Sequence, residues 1–301
     1  MMQNLNYQRY LNSFIPFDSL LWNAFSRDRR SAGCKAIVSR SGRFACRYCR
    51  LDWDSAVLGI NVYKVSDIFF SGSETRAGLA GHIEKVERAL KADGAQLAVF
   101  RFGMEHMYPI RLLCSRGWGI VDVMNIYGSG PRTAAAAARV APRRGLSFSR
   151  FSLREAREFF RRAEDIFVYS RMYNDPRISR RLARMFYSRL FEDVCSKPES
   201  VKIGLYAGRR LVGLALGETD GFLKNTAGFK LGYLWEIAVD PGFRQRGYAA
   251  QLFSAFLKSM SGQADHIEVG TQVDNTAANR LYAGAGLVHR AHAVTFHKWL
   301  A

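Results

Sequence analysis

The chain has 301 residues, 48% of them apolar, and carries 44 basic against 26 acidic side chains for a net charge of +18. That length and apolar content exclude general disorder and fit two domains or one enlarged α/β domain. No apolar run reaches the roughly 18 residues of a membrane span, and MMQNLNYQRYLNSF lacks the charged start and apolar stretch of a signal peptide, so the expected location is the cytoplasm.

The positive charge favours polyanions: nucleic acid, anionic lipid or a phosphorylated small molecule. Its basic residues are spread over 27–30, 143–144, 161–162 and 177–184, several on the polar faces of predicted helices. A solvated basic surface accounts for these as well. Five cysteines (Cys34, Cys46, Cys49, Cys114, Cys195) are scattered. Cys46 and Cys49 form a C-x-x-C, but no second pair completes a tetrahedral metal site, so ordinary core thiols and no metal are expected.

In chain order, residues 1–42 read as an extension with some helix at 18–25 and a basic loop. A strand is predicted over 44–53. A helix follows over 74–92, stopped by Gly94, then a short strand over 95–102. A helix over 106–116 ends at Gly117, and 118–127 reads as a strand. The segment GSGPRTAAAAARVAPRRG, residues 128–145, shows no buried face and reads as an interdomain linker. Beyond it the pattern gives a strand over 146–151, helices over 153–168 and 178–195, and strands over 201–206, 211–217 and 230–239. A helix over 245–261, a strand over 266–271, a helix over 276–285 and a last strand pair over 287–299 complete the order.

The sharpest segment is GYLWEIAVDPGFRQRGYAAQLFSAFL. A long apolar strand ends at Val239, and Pro241 stops it because proline cannot donate to the ladder. Arg244, Gln245, Arg246, Gly247, Tyr248 and Ala249 then lead into an amphipathic helix. Glycine and alanine let backbone approach a ligand, and a helix start offers unpaired N–H groups with partial positive charge. These are the parts of a pyrophosphate cradle. In IEVGTQVDNTAANRLYAGAG, Asn275 suits a helix cap and Tyr282 lies about two turns further along.

These residues resemble the GNAT acetyltransferase superfamily. Its pyrophosphate motif, Q/R-x-x-G-x-G/A, is matched by Arg244, Gly247 and Ala249, and its next block by Asn275, Ala278, Tyr282 and Gly286. The resemblance implies an α/β fold, a mixed sheet flanked by helices, with acetyl-CoA as cosubstrate. The pantetheine arm would add to the strand at Ile237, Ala238 and Val239, with Asn275 and Ala278 beside it. The pyrophosphate would sit on the amides of 244–249. Tyr282 would protonate the departing thiolate, and a backbone N–H near Ile237 would take the oxyanion. Glu236 is the candidate general base; alternation puts it on the face opposite Trp235 and Ile237.

A narrower resemblance, to bacterial TDP-fucosamine acetyltransferases, rests on LDWDSAVLGI (51–60), YSRMYNDPRIS (169–179) and GTQVDNTAANRLY. It implies a partial GNAT-like domain over 43–128 and a catalytic domain over 146–301, joined by 129–145. It also implies a nucleotide-linked amino sugar as acceptor, with Ser170, Arg171, Tyr173 and Asp175 on the acceptor wall. The same four residues suit a helix stop and start, with Asp175 as cap and Pro176 following. A homodimer is compatible with this reading and no nucleic-acid partner is expected. The alternatives are a GNAT enzyme for a protein terminus, amino acid or antibiotic, and a non-catalytic scaffold whose basic surface holds nucleic acid or membrane.

Overall fold

The computed structural model describes residues 2–4, 34–42, 44–71, 75–104, 107–129, 145–163, 166, 168–220 and 230–300. The helix expected at 18–25 and most of the expected linker, 130–144, lie outside the described residues. In order, the elements are β1 (Met2–Asn4), β2 (Cys34–Val38), β3 (Phe44–Arg50), α1 (Asp52–Leu58), β4 (Val62–Ser71), α2 (Arg76–Ala92), β5 (Leu97–Gly103), α3 (Met107–Ser115) and β6 (Gly119–Ser129). Then come β7 (Leu146–Ser149), α4 (Leu153–Arg162), α5 (Arg171–Asn174), α6 (Arg180–Ser196), β8 (Val201–Ala207), β9 (Arg210–Asp220) and β10 (Leu231–Val239). A single 3-10 turn (Pro241–Phe243), α7 (Tyr248–Met260), β11 (His266–Gln272), α8 (Thr276–Gly284) and β12 (Val288–Trp299) close the list.

Backbone contacts divide the chain into two units. The first holds Met1–Met124, Ser170–Leu182 and Ala291–Ala301; the second holds Asn125–Tyr169 and Ala183–Arg290. In the first unit β2, β3 and β4 pair antiparallel in turn, β4 pairs parallel with β5, and β5 pairs antiparallel with β12 from Leu97↔Trp299 to Gly103↔Ala293. The sequence reading kept residues 291–301 with the C-terminal half. Strand pairing is a backbone contact that patterning does not reveal, so the partner of this last strand was not legible. The core joins Phe44, Phe100, Phe102 and Phe296 of the strands with Leu79, Ile83, Val86 and Leu90 of α2.

In the second unit β7, β8, β9 and β10 are successively antiparallel, and β10 runs parallel to β11, so the sheet is mixed. Two apolar clusters share these strands. One takes Leu252, Phe253, Phe256, Leu257 and Met260 from α7; the other takes Ala156 and Phe159 from α4 with Phe191, Val194 and Cys195 from α6. The start of α4 is fixed by a capping box: the Glu155 N–H donates to Ser152 Oγ at 3.2 Å, and the Ser152 N–H donates to Glu155 Oε2 at 2.8 Å.

Several expectations need correction. Asp52, Trp53, Asp54 and Ser55 do not end a strand; they open α1, whose first-turn Asp52 and Asp54 suit the positive end of the helix and whose C-cap Gly59 takes φ +70°. Helix α4 stops at Arg162 rather than continuing to residue 168. The last pair of strands is one strand, because no Gly, Pro or Asn breaks the run from Val288 to Trp299. Strands β2 and β4 were not anticipated. The cysteines are not all free: Cys34 and Cys49 face each other across β2 and β3 and form a disulfide, while Cys46 faces Ile37. Two residues three apart on one strand lie on opposite faces, so the C-x-x-C could not close on itself.

Two glycines give opposite expectations. A Cβ on Gly217 of β9 would meet the Tyr233 carbonyl oxygen and, at 2.5 Å, the Phe256 ring, whereas one on Gly81 inside α2 meets nothing within 4 Å. Gly217→Ala should destabilise by about 1–3 kcal/mol through overpacking. Gly81→Ala should stabilise by about 0.5–1 kcal/mol. Urea denaturation followed by circular dichroism checks both signs.

Candidate active site

Strand β10 is registered with β11 only from Leu231↔His266 to Leu234↔Val269. At the same point its register to β9 shifts: Leu234 faces Gly217 and Glu236 faces Leu216, leaving Trp235 as the extra residue of a bulge. The bulge breaks the alternation expected from sequence. Trp235 is 48% exposed, while Glu236 and Ile237 are both half-buried and both face one cleft.

That cleft has a volume of about 820 Å³ and lies in the second unit. Its walls are Glu236 to Val239 of β10, Phe243, Arg244, Gln245 and Gly247 of the following loop, Tyr248, Ala249 and Ala250 of α7, and Asn275, Ala277, Ala278 and Leu281 at the start of α8. Ile166, Val168 and Tyr169 complete it. Of the residues assigned to the cosubstrate from sequence, Arg246 alone does not line the cleft; it donates to the Gly242 carbonyl at 3.3 Å and stands 5.4 Å from the Phe243 ring.

The loop before α7 owes its shape to a carboxylate that sequence reasoning passed over. Asp240, 5% exposed, accepts from the Gly242 N–H at 3.1 Å, from Arg210 at 2.9 Å and from Arg162 at 3.4 Å. Burial alone would raise its carboxyl, but these bonds outweigh burial and hold it below the ordinary carboxylate range. Gln245 then takes φ +61° and Gly247 φ +74°, so helix α7 starts at Tyr248, not at 245 as expected. Gly247 as N-cap brings no side chain to the first amides of α7, which leaves them to a ligand in the cleft.

Helix α8 is held by two asparagines. Asn275 caps it, accepting from the Ala278 N–H at 3.2 Å as expected. Asn279 does more: it accepts from Asn125 at 2.7 Å and from the Tyr127 hydroxyl at 2.9 Å, and donates to the carbonyls of Gln272 and Asn275 at 2.9 Å each. Its place in N-T-A-A-N was the available signal.

Among the described residues Glu236 has no ion-pair partner; its carboxyl accepts the Ile237 N–H, the group expected to face an oxyanion, and burial pushes it up to about 8. Tyr282, 4% exposed, packs between Tyr127 and Phe253 with centroids at 5.9 and 5.2 Å and does not line the cleft. Burial, and after it the charge of Glu236, raises its phenol far above the usual value.

The four residues assigned to an acceptor wall are in the first unit. Arg171 donates to Asp54 at 3.0 Å and to His297 Nε2 at 3.2 Å. His297 Nδ1 donates to Asp175 at 2.6 Å, and Asp175 also accepts from Trp299 Nε1 at 3.0 Å and the Arg177 N–H at 2.9 Å. An Arg donor on one ring nitrogen and a carboxylate acceptor on the other fix His297 as the neutral Nδ1–H tautomer. Burial, with help from the Arg171 charge, lowers its pKa accordingly. Ser170 is buried and Tyr173 half-buried beside this network. Among the described residues no three His, Cys, Asp or Glu stand together as metal ligands, and no helix is long and apolar enough to cross a membrane.

For the acetyl-CoA that the sequence resemblance implies, Gly247→Val should remove affinity. A β-branched side chain pays about 1–2 kcal/mol for the left-handed backbone and occupies the approach to the α7 amides. Calorimetry on a variant with native circular dichroism checks this; unchanged affinity contradicts it.

Residues 156–287 match the acetyltransferase (GNAT) family. The fold is similar over 100% of this chain and 99% of the other to a tandem GNAT protein from the clavulanic acid biosynthesis pathway, at TM-score 0.59 and 13% identity. A GCN5-related N-acetyltransferase from Sphaerobacter thermophilus is similar over 92% of this chain and 85% of its own, at TM-score 0.56 and 15% identity. One from Kribbella flavida is similar over 94% of each chain, at TM-score 0.56 and 14% identity. No curated protein sequence matches the chain. At such identities these structures share the fold, and the full-length likeness to a tandem protein extends the GNAT-type fold into the N-terminal part. Residues 156–287 therefore form an acetyltransferase domain of the GNAT family, a family that uses acetyl-CoA, and the chain that carries it is an acetyltransferase.

Proposed function

We propose that the enzyme acetylates the amine of a nucleotide-linked amino sugar by direct transfer from acetyl-CoA. The observation that carries the transfer step is the end of the β10–β11 pairing after Leu234, with Glu236 and the uncapped start of α7 lining the same cleft. Pantetheine would pair with the β10 edge beyond Leu234, and the pyrophosphate would rest on the loop from Arg244 to Ala249. The amine nitrogen attacks the thioester carbon, and its proton passes to Glu236, directly or through water. As the C–S bond breaks, the thiolate takes a proton from Tyr282 through water, since the buried phenol does not itself line the cleft. A carboxyl raised to about 8 suits a base that must accept a proton from an amine, and once Glu236 takes that proton the charge that helps hold the Tyr282 phenol up is gone, which favours donation to the thiolate.

The acceptor reading rests on the narrower resemblance; its two phrases meet in the fold, Asp54 of W-D-S and Arg171 of S-R-M-Y-N-D-P being 3.0 Å apart, but that ion pair occupies Arg171 and does not itself favour a sugar. The net charge of +18 suits any diphosphate ligand, acetyl-CoA included, and supports the sugar only weakly. The test offers labelled acetyl-CoA with TDP-linked 4-amino-4,6-dideoxyhexoses against free amino sugars, amino acids, aminoglycosides and peptides. Turnover of the nucleotide sugars alone is expected; turnover of peptides or antibiotics without them overturns the acceptor and leaves the acetyl-CoA site standing.

The base and acid assignments give a pH signature. Glu236 works deprotonated, so kcat/KM should fall as pH drops below about 8. Glu236→Gln should lower kcat by roughly 10²-fold and remove that inflection, leaving only the titration of the acceptor amine. Tyr282→Phe should lower kcat to a similar extent while sparing acetyl-CoA affinity. Parallel pH–rate profiles of the wild type and Glu236→Gln with the same inflection would reassign the carboxyl.

A further inference from the structure

We propose that the first unit holds a strand-receiving site, the counterpart of the β10 edge in the second unit, and that its ligand is an extended peptide: the chain's own N-terminal strand β1. The proposal does not depend on which acceptor the enzyme uses.

The two units repeat one pattern. Strand β4 pairs parallel with β5 over four residues, Val62↔Leu97 to Val65↔Phe100, as β10 does with β11 from Leu231↔His266 to Leu234↔Val269. The next residue bulges in both: Ser66 is passed over in the pairing of β4 with β3, as Trp235 is in the pairing of β10 with β9. Two positions beyond α3 stands Gly117 at φ +78°, and two beyond α8 stands Gly286 at φ +79°. Each position precedes its counterpart by one constant offset, as 62 precedes 231, 66 precedes 235, 97 precedes 266 and 117 precedes 286. At the same offset Asp67 matches Glu236, Gly78 matches Gly247 and Ala80 matches Ala249.

The repeat is broken where phosphate would bind. Thr75 stands at the place of Arg244; its hydroxyl accepts from the Gly78 N–H at 3.0 Å and its carbonyl from the Leu79 N–H at 2.9 Å. Gly78 lies inside α2, so amides that Gly247 leaves open in the second unit are spent within the helix here. What remains is a strand edge without a pyrophosphate cradle, which suits a peptide and not a nucleotide-bearing thioester.

That edge has an occupant. Strand β1 pairs antiparallel with β4 at Met2↔Ser71, Gln3↔Phe70 and Asn4↔Phe69, beyond the last residue that β5 takes. Strand β3 holds the opposite edge at Phe44↔Phe70 and Ala45↔Phe69, so β1 lies on the β5 side. Residues 69–71 match Ala238, Val239 and Asp240, and so overlap the stretch proposed for pantetheine in the second unit. Three registered residues make a short ladder, and main-chain bonds of this kind accept any extended peptide.

Residue-resolved hydrogen exchange tests the occupancy. Successive strand residues donate to opposite sides, so of Phe69 and Phe70 one amide has β3 as its partner and the other β1. Both should exchange slowly in the wild type. Met2→Pro, Gln3→Pro and Asn4→Pro together should speed one of the two at least about tenfold and leave residues 231–239 unchanged. A labelled peptide of residues 1–8 should bind this triple variant saturably, and the wild type at least about tenfold more weakly, because the tethered strand competes. The same peptide N-methylated at its second, third and fourth residues should bind the variant at least about tenfold more weakly. Neither protein should take more than one acetyl-CoA per chain. Fast exchange of either amide in the wild type, no saturable peptide binding at millimolar concentration to a variant with native circular dichroism, equal binding by both proteins, undiminished binding of the N-methylated peptide, or a second acetyl-CoA in the variant would each overturn the proposal.

Discussion

A parallel strand pair that parts after four registered residues leaves the backbone N–H and C=O groups of the diverging stretch without their neighbour. In most sheets such an edge is a liability; here it opens the cleft in which Glu236 to Val239 are displayed. The bulge at Trp235 bends β10 where the pairing ends, and Gly217 across from Leu234 permits it, because a side chain there would collide with the Tyr233 carbonyl and the Phe256 ring. The remaining parts of the cleft depend on where β10 goes next. Asp240 catches its end with two arginines and a backbone amide, Gln245 and Gly247 turn the chain through two left-handed residues, and α7 begins with its amides facing the opening.

How much of this was legible follows from what kind of interaction made it. The order of elements over residues 76–286, the one-turn α5 apart, was readable because each has a local signal: apolar periodicity, a Gly after α2 and α3, a Pro after β10, a capping Asn before α8. The loop before α7 was readable as a helix start for the same reason, though the two left-handed residues move that start from 245 to Tyr248. The bulge was not, because it lies in the pairing of β10 with β9 and not in the composition of either. Asp240 looked like part of a strand-ending turn, and its two arginines come from 78 and 30 residues away in sequence. The disulfide escaped because Cys34 lies in a stretch whose composition read as an extension, so β2 and its register to β3 were invisible.

The buried polar network of the first unit shows the other side of that limit. Asp54, Arg171, Asp175, His297 and Trp299 come from three distant stretches of chain. A buried charge is tolerated only when its partners are complete, and here the histidine is held neutral between an arginine donor and a carboxylate acceptor. W-D-S and S-R-M-Y-N-D-P were each noticed as phrases with possible ligand chemistry. What they share in the fold is each other, so Arg171 meets any ligand already committed on two sides.

The pairing of β5 with β12 carries a consequence for how the protein is made. Arg101 and Thr295, joined by a 2.7 Å hydrogen bond between those strands, are 194 residues apart in the chain. A ribosome adding about 5–20 residues per second delivers the later strand roughly 10–40 seconds after the earlier one. For that interval the edge of β5, whose seven residues are nearly all buried in the finished sheet, waits without its neighbour. That apolar edge must stay unpaired or be covered until β12 has been made.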